Sequence, residues 1–205
     1  MNNNSLKLRN KIAREAASLL YSGSEKEFKQ AKQKAAKIFK CKFLPTNLEV
    51  AMELDRIAEE KEGSERGRRL IQMRKEALKV MNFLKAYNPI LVGSVWRGTI
   101  HYESDIDIRV YHDEPNDILN ALKKGDYKIV RTEWISVTEK GQKRTAFHAY
   151  LESLAQERIE IIVRSPQELS RKEKCEIYGD EITGLNLKQL ERILEENPAR
   201  RFLPF

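Results

Sequence analysis

The segment "LVGSVWRGTIHYESDIDIRVY", Leu91 to Tyr111, sets two aspartates, Asp105 and Asp107, among isoleucines. Aspartate is among the poorest strand formers, so a folding requirement alone would place Thr, Lys or Val there. In a strand, residues i and i+2 project to one side, which points Asp105 and Asp107 together and turns Ile106, Ile108 and Val110 toward a core. Two carboxylates held side by side repel, and a proton or a cation between them relieves the repulsion. Hard, oxygen-ligated cations such as Mg2+, or Mn2+ in its place, suit that arrangement. A third carboxylate recurs in the same setting: Glu160 lies in "RIEIIVR" between Ile159 and Ile161. If that strand neighbours the first, the carboxylates converge on a pair of metal ions about 3.5–4 Å apart.

Gly93 and Ser94 directly follow the apolar run Ile90 to Val92. A glycine there lets a phosphate approach the backbone with no Cβ in the way. The Ser94 hydroxyl and the N–H groups after it can donate to phosphate oxygens. Arg97 is either a charge-assisted phosphate donor or a partner of Glu103, and Gly98 lets the chain turn away. Trp96 either stacks on a base or packs beneath the loop. His101, His112 and His148 lie in different segments without ligand spacing and read as surface or packed histidines. Cys41 and Cys175 have no CxxC context and no nearby histidine, which argues against a disulfide scaffold and against structural zinc. No Ser-His-Asp or Cys-His arrangement competes, and phosphoryl or nucleotidyl transfer needs charge neutralisation and positioning more than covalent help from the protein.

The elements that must hold these groups change character near Pro89. Before it the chain reads as helices: Leu6 to Leu20, a second from Glu25 to Lys40 with Ser24 as its cap, a third from about Leu48 to Glu62, and a fourth from about Arg66 to Tyr87. Thr46 with Glu49 forms a capping-box pattern after Pro45. In the second helix Phe28, Ala31, Ala35, Ile38 and Phe39 make the apolar face, and Lys26, Lys29, Gln33, Lys37 and Lys40 line another. After Pro89 come strands at Ile90–Val92, Asp105–Tyr111, Tyr127–Thr138, Lys143–Ser153 and Arg158–Arg164, the third and fourth joined at Lys140-Gly141. A short helix is expected in "EPNDILNALKKGD", another opening at Ser165-Pro166, and a last one from Leu187 to Glu196. Trp134 and Tyr150 read as sheet packing, and Arg200, Arg201 and Phe205 as a tail that either docks or meets a partner. The expected architecture is α+β, a basic helical region over residues 1–87 followed by a catalytic domain over residues 88–205.

The 205 residues carry 38 Lys+Arg against 31 Asp+Glu. Residues 1–85 hold 20 of the basic and 11 of the acidic groups, so the first part is positive and the remainder slightly negative. That asymmetry fits either a solvated helical surface or a nucleic-acid footprint. No apolar run approaches the roughly 20 residues that cross a bilayer, and no secretory pattern is seen, so a cytoplasmic location is expected.

Gly93-Ser94, ten intervening residues and then Asp105-Ile106-Asp107 resemble the signature of the DNA polymerase β nucleotidyltransferase superfamily. The run "GSVWRGTIHYESDID" is similar to the minimal nucleotidyltransferases, and "EAASLLYSGSEKEFKQAKQKAA" with "EVAMELDRIAEE" to a group of archaeal predicted nucleotidyltransferases. The resemblance implies a small mixed β-sheet with helices against it, and metal-dependent transfer of NMP from an NTP to an acceptor hydroxyl. It implies that Gly93 and Ser94 hold the triphosphate, and that Asp105, Asp107 and Glu160 bind Mg2+ or Mn2+. The family commonly has Asp as the third carboxylate, and Glu152 and Glu157 compete with Glu160 for that place. The acceptor is an RNA or DNA end, a protein side chain or a small molecule, and the basic half points to a nucleic acid such as tRNA. Alternatives are a catalytically silent NTP- or RNA-binding module and an antitoxin-like enzyme that modifies a partner protein. A homodimer is compatible with either.

Overall fold

The computed structural model describes residues 3–125, 127–139, 142–153 and 156–205. The order is α1 (Asn3–Tyr21), α2 (Phe28–Ile38), α3 (Asn47–Glu62), α4 (Ser64–Phe83), β1 (Ile90–Val92), α5 (Gly93–Arg97), β2 (Ile106–Tyr111), α6 (Pro115–Lys124), β3 (Lys128–Glu139), β4 (Gln142–Glu152), β5 (Arg158–Arg164), β6 (Leu185–Asn186) and α7 (Leu187–Glu196). The six strands form one mixed sheet in the order β3-β4-β5-β2-β1-β6. β2 and β5 pair in parallel, with Asp107 opposite Glu160, and the other pairings are antiparallel. This is the α+β architecture expected, a mixed sheet with helices against it.

Alternation in the central strands decides which face does what. Ile106, Ile108 and Val110 of β2 and Ile159, Ile161 and Val163 of β5 are all buried, in one cluster with Val80 of α4, Leu122 of α6 and Leu190 of α7. A fully buried side chain of this kind contributes about 1.5–3 kcal/mol relative to exposure. The residues between them, Asp107 and Arg109, Glu160 and Ile162, therefore emerge on the opposite face. A second cluster joins α1, α2 and α3 through Ile12, Ala16, Leu20, Ala35, Val50 and Leu54. α4 places its apolar residues in the sheet's cluster, so the last helix of the basic half belongs to the packing of the strands.

Local signals account for several boundaries. Thr46 Oγ1 accepts from Glu49 N at 3.2 Å and the Glu49 carboxylate accepts from Thr46 N at 2.6 Å, which is the capping box expected at the start of α3. α7 has the same device in Asn186 and Gln189. Other boundaries differ from the sequence reading. Glu27, without a side-chain cap bond, takes the N-cap position of α2 instead of Ser24. Ile38 is 55% exposed because α2 ends there, and Ala36 is buried beside Ala35 in its stead. α4 starts at Ser64 and stops at Phe83, with a 3-10 turn over Lys85–Tyr87. Ser165-Pro166 opens a single 3-10 turn and no longer helix, and Asp105 stands one residue before β2. The turn at Lys140-Gly141 lies outside the described residues. No helix among the described residues is long and apolar enough to cross a membrane.

Candidate active site

Asp105, Asp107 and Glu160 each offer an oxygen within 4.8 Å of the others. Strand pairing explains the convergence: Asp107 and Glu160 are register partners on adjacent parallel strands, and Asp105 precedes Asp107 by one pleat. Gly93 lies against the same group. Its φ is +70°, and a Cβ built there would stand 1.9 Å from Asp107 Oδ2. The glycine thus gives the Asp107 carboxylate its room, and it brings Ser94 to the edge of the carboxylate cluster. The β1–β2 pairing that opposes Val92 to Asp107 fixes this juxtaposition.

The loops between these strands hang from arginines of α4. Arg74, fully buried, donates to the carbonyls of Val95 and Trp96 in α5 and of Pro198 and Arg200 in the C-terminal tail. Arg69 donates to the carbonyls of His101, Tyr102 and Ser104 and pairs with Glu157 at 3.0 Å. Arg66 donates to Ile100 O at 2.7 Å and pairs with Asp55. The planar five-donor guanidinium suits this work, since the carbonyls of Val95, Trp96 and Ile100 would otherwise be buried without these donors. The segment that delivers Asp105 is therefore set by α4.

Electrostatics at the cluster favour a bound cation. Burial, and then the nearby Asp105 and Glu160, hold the Asp107 carboxyl well above the ordinary carboxylate range. Asp105 is also raised, by burial first and by the charge of Glu160. Burial pushes Glu160 up as well, but the hydrogen bond with His148 and the nearby Tyr150 hydroxyl, which itself donates to Glu133 at 2.8 Å, outweigh it and leave Glu160 below its usual value. His148 Nδ1 lies 2.6 Å from Glu160 Oε1. Of the three carboxyls, Asp107 is the one that burial and its neighbours most disfavour in charged form, and Glu160 the one whose charge its partners favour. A donor set made of carboxylate oxygens at this spacing fits hard divalent ions, whose charge offsets the repulsion among them.

Two hollows meet at the cluster. One of about 440 Å³ runs from Gly93, Ser94 and Asp107 past Trp96 to Ile177 and Tyr178. The other, about 730 Å³, opens past Asp105 toward Arg131, Tyr150, Arg158 and Lys26. Ser94, His101 and Asp107 border both, as do Phe28 of α2 and Leu54 of α3, so the helical region walls the cleft. The arrangement offers separate places for two reactants on either side of the carboxylates.

The other expected site residues are distributed as follows. Arg97 does not present an open guanidinium: it pairs with Asp180 at 2.7 Å, donates to Phe202 O at 3.0 Å and lies over the rings of Trp96 and Tyr178. Its pairing with Glu103 is not made either, because Glu103 meets Arg158. Arg97 is buried by the C-terminal tail, which docks with Phe202 N on Arg97 O, and no local signal in the sequence announces that docking. Of the competitors for the third carboxylate, Glu157 is held by Arg69 and Glu152 faces Lys128. Trp96 is buried, as a residue packed beneath the loop would be. His148 and Tyr150 are the residues that sequence reasoning missed. Both sit on β4, where Tyr150 is the register partner of Glu160, and only the order of the strands reveals it.

Residues 74–182 match the family model of the nucleotidyltransferase domain, of the DNA polymerase β-like superfamily. The chain belongs to that family. No curated protein matches it. Among solved structures, that of a cytoplasmic RNA terminal U-transferase is similar at 16% identity and a TM-score of 0.32, over 58% of this chain and 34% of that one. The chain thus spans about a third of the length of that solved structure.

Proposed function

We propose that the nucleotidyltransferase moves a nucleoside monophosphate from an NTP to the hydroxyl of an RNA such as tRNA, with Mg2+ or Mn2+ held by Asp105, Asp107 and Glu160. The acceptor oxygen forms a bond to the α-phosphorus, the bond from that phosphorus to the β-bridging oxygen breaks, and pyrophosphate leaves. The acceptor hydroxyl proton passes to a carboxylate of the cluster or through it to water. Divalent cations in such a site supply positive charge to the α-phosphate and make the acceptor hydroxyl more acidic. Gly93 and Ser94 bind the phosphates, the glycine by leaving room and the serine through its hydroxyl. His148 orients Glu160, its Nδ1 holding the carboxylate toward the cluster. Arg97 keeps α5 in place through Asp180 and the tail.

The observation that carries this reading is the meeting of Asp105, Asp107 and Glu160 beside Gly93. For RNA as the acceptor, the support is the excess of basic residues in the first 85 and the position of Lys26, Arg131 and Arg158 around the larger hollow. The proposed division is a helical region over residues 1–87 and a catalytic region over 88–205, with α4 as the shared joint. The test is transfer of label from α-labelled NTPs to a pool of small RNAs with Mg2+ or Mn2+, beside Mn2+ binding followed by electron paramagnetic resonance. Asp105→Asn with Asp107→Asn is expected to abolish both. Transfer that survives in the double variant, or none from the native chain to any acceptor, would overturn the proposal.

A further inference from the structure

A β-bulge decides which side chain stands over the larger hollow. β3 and β4 pair Ile129 with Leu151, but the next pair is Arg131 with Tyr150, so Val130 is an extra residue in the ladder. In an unbroken ladder Arg131 would oppose Ala149, which lies in the sheet's buried cluster, and its guanidinium would meet the apolar face. The bulge turns Arg131 to the face of Glu160, whose register partner is Tyr150. There its guanidinium lies over the Tyr150 ring, 4.2 Å from the centroid. One oxygen, Glu133 Oε1, accepts from the Tyr150 hydroxyl at 2.8 Å and pairs with Arg131 at 3.1 Å, so ring and guanidinium are fastened at a single point. The Arg131 side chain is nonetheless 59% exposed, and it borders the hollow of about 730 Å³ together with Tyr150 and Asp105.

The charge of Arg131 is already answered by Glu133, so what it offers the hollow is a flat surface more than a charge. A guanidinium with one face on an aromatic ring presents its other face to whatever enters, and unpaired bases stack on such planes. Of the two hollows, Gly93 borders only the smaller and Arg131 only the larger, so the phosphate-binding turn and the Arg131 plane lie on different sides of the carboxylates. Exposed Lys26 borders the larger hollow too and suits a phosphate of the strand that carries the base. A hollow of this volume takes a ligand of the size of a nucleotide, not the end of a duplex. We propose that Arg131, backed by Tyr150, is the stacking platform for the unpaired last base of the acceptor nucleic acid, and that the acceptor is therefore a single-stranded end. This assignment rests on the nucleotidyl-transfer reading and names the class of its acceptor.

Fluorescence anisotropy in Mg2+ without NTP tests it, with a labelled RNA single strand of about ten nucleotides, its twin with an abasic last position, and a blunt duplex of the same length. The native chain is expected to bind the intact strand at least about tenfold more tightly than the abasic twin or the duplex, about 1.4 kcal/mol. Arg131→Lys keeps the charge without the plane and is expected to erase the preference over the abasic twin while leaving the salt dependence of binding unchanged. β3 is the edge strand and Arg131 is exposed on it, so this variant is expected to melt with the native chain. Tyr150→Phe keeps the ring behind Arg131 and is expected to retain most of the preference, and Tyr150→Leu to lose it. A preference that survives Arg131→Lys, or that the native chain does not show, would overturn the proposal. A salt slope that falls with the preference intact would make Arg131 a phosphate contact and overturn it too, as would weaker ATP binding beside unchanged RNA binding, which would put the base of the NTP on Arg131. A preference lost in Arg131→Lys, in a native chain that transfers no nucleotide, would count against the proposed reaction alone. Transfer by the native chain with the KM for RNA unchanged in Arg131→Lys would count against this inference alone.

Discussion

Gly93→Ala asks the most of the geometry with the least change of chemistry. The added Cβ would stand 1.9 Å from Asp107 Oδ2, 2.9 Å from its Cγ and 3.2 Å from its Cβ, so the carboxylate must move by about an ångström to restore ordinary spacing. The residue also sits at φ +70°, where an L side chain costs about 1–2 kcal/mol. For a chain of 205 residues that corresponds to a fall in Tm of about 2–8 °C. The functional loss is larger, because a reacting geometry displaced by about 1 Å costs on the order of 100-fold in rate. Gly184→Ala is the control: its Cβ would meet Leu91 O at 2.6 Å and Ile90 Cγ2 at 2.3 Å, in the β1–β6 pairing. That variant is expected to lose stability while its folded fraction binds Mn2+ normally. Mn2+ titration monitored by electron paramagnetic resonance, with thermal melts beside it, separates the two. Gly93→Ala with the native Mn2+ affinity would mean that the Asp107 carboxylate does not rest on Gly93 in the working enzyme, and the account of the site would fail with it.

Other perturbations reach the scaffold and the surface. Arg74→Met keeps the volume but leaves the carbonyls of Val95, Trp96, Pro198 and Arg200 without their donor, for a loss of at least about 3 kcal/mol by chemical denaturation, and Arg74→Lys is not expected to restore it. Burial lowers the His101 pKa from 6.5 to about 4. The unfolded chain takes up that proton first as pH falls, so the stability tied to neutral His101 is complete above about pH 6.5 and is lost toward pH 4, up to about 3 kcal/mol; His101→Asn should be less sensitive than the native chain by that amount when melts at pH 7 and pH 4.5 are compared. Thr46→Ala removes the side-chain half of the α3 capping box and should cost about 1 kcal/mol, or a Tm lower by about 2–4 °C. Lys29→Glu with Lys37→Glu should weaken RNA binding and lower the slope of log affinity against log salt by about 0.7 for each phosphate no longer neutralised, with tripolyphosphate binding unchanged; an unaltered slope would mark α2 as a merely solvated face.

How much of this was legible in the sequence depends on the range of the interaction. The Asp-x-Asp pair and the alternation around Glu160 declare a shared strand face because the pleat repeats every two residues, and they need only the β2–β5 pairing to become one site. The capping box at Thr46 is equally local and equally legible. Arg97 is not, since its partners Asp180 and Phe202 lie 83 and 105 positions away. His148 looks like an isolated histidine for the same reason: it reaches Glu160 only because β4 lies beside β5, and strand order is not written in periodicity. The failure of Pro166 to open a full helix belongs to another class. A favourable first-turn residue permits a helix, but nothing in "QELSRKEK" supplies an apolar face that would bury one.

The basic excess of the first half likewise divides once partners are known, and mostly by residue type, although Lys32, Lys34 and Lys79 also meet Asn47, Glu25 and Glu76. Its arginines face inward or toward carboxylates: Arg9 takes Glu49, Arg14 takes Glu53 and Glu60, and Arg66, Arg69 and Arg74 bind the loops that carry the catalytic strands. A flat fork with fixed donors is the group that can hold several carbonyls at once. The lysines of α2 and its approach, Lys26, Lys29, Lys37 and Lys40, are exposed, and Lys26 borders the larger hollow. A flexible ammonium is poorly suited to fixing a loop but adequate for meeting a phosphate wherever it passes. Net charge alone therefore overstates the footprint available to RNA, because a substantial part of it is the internal fastening of the active site. Lys7, Lys11, Lys42, Lys75 and Lys85 are exposed as well, but it is the lysine row of α2 that begins at the mouth of the hollow that leads to Asp105.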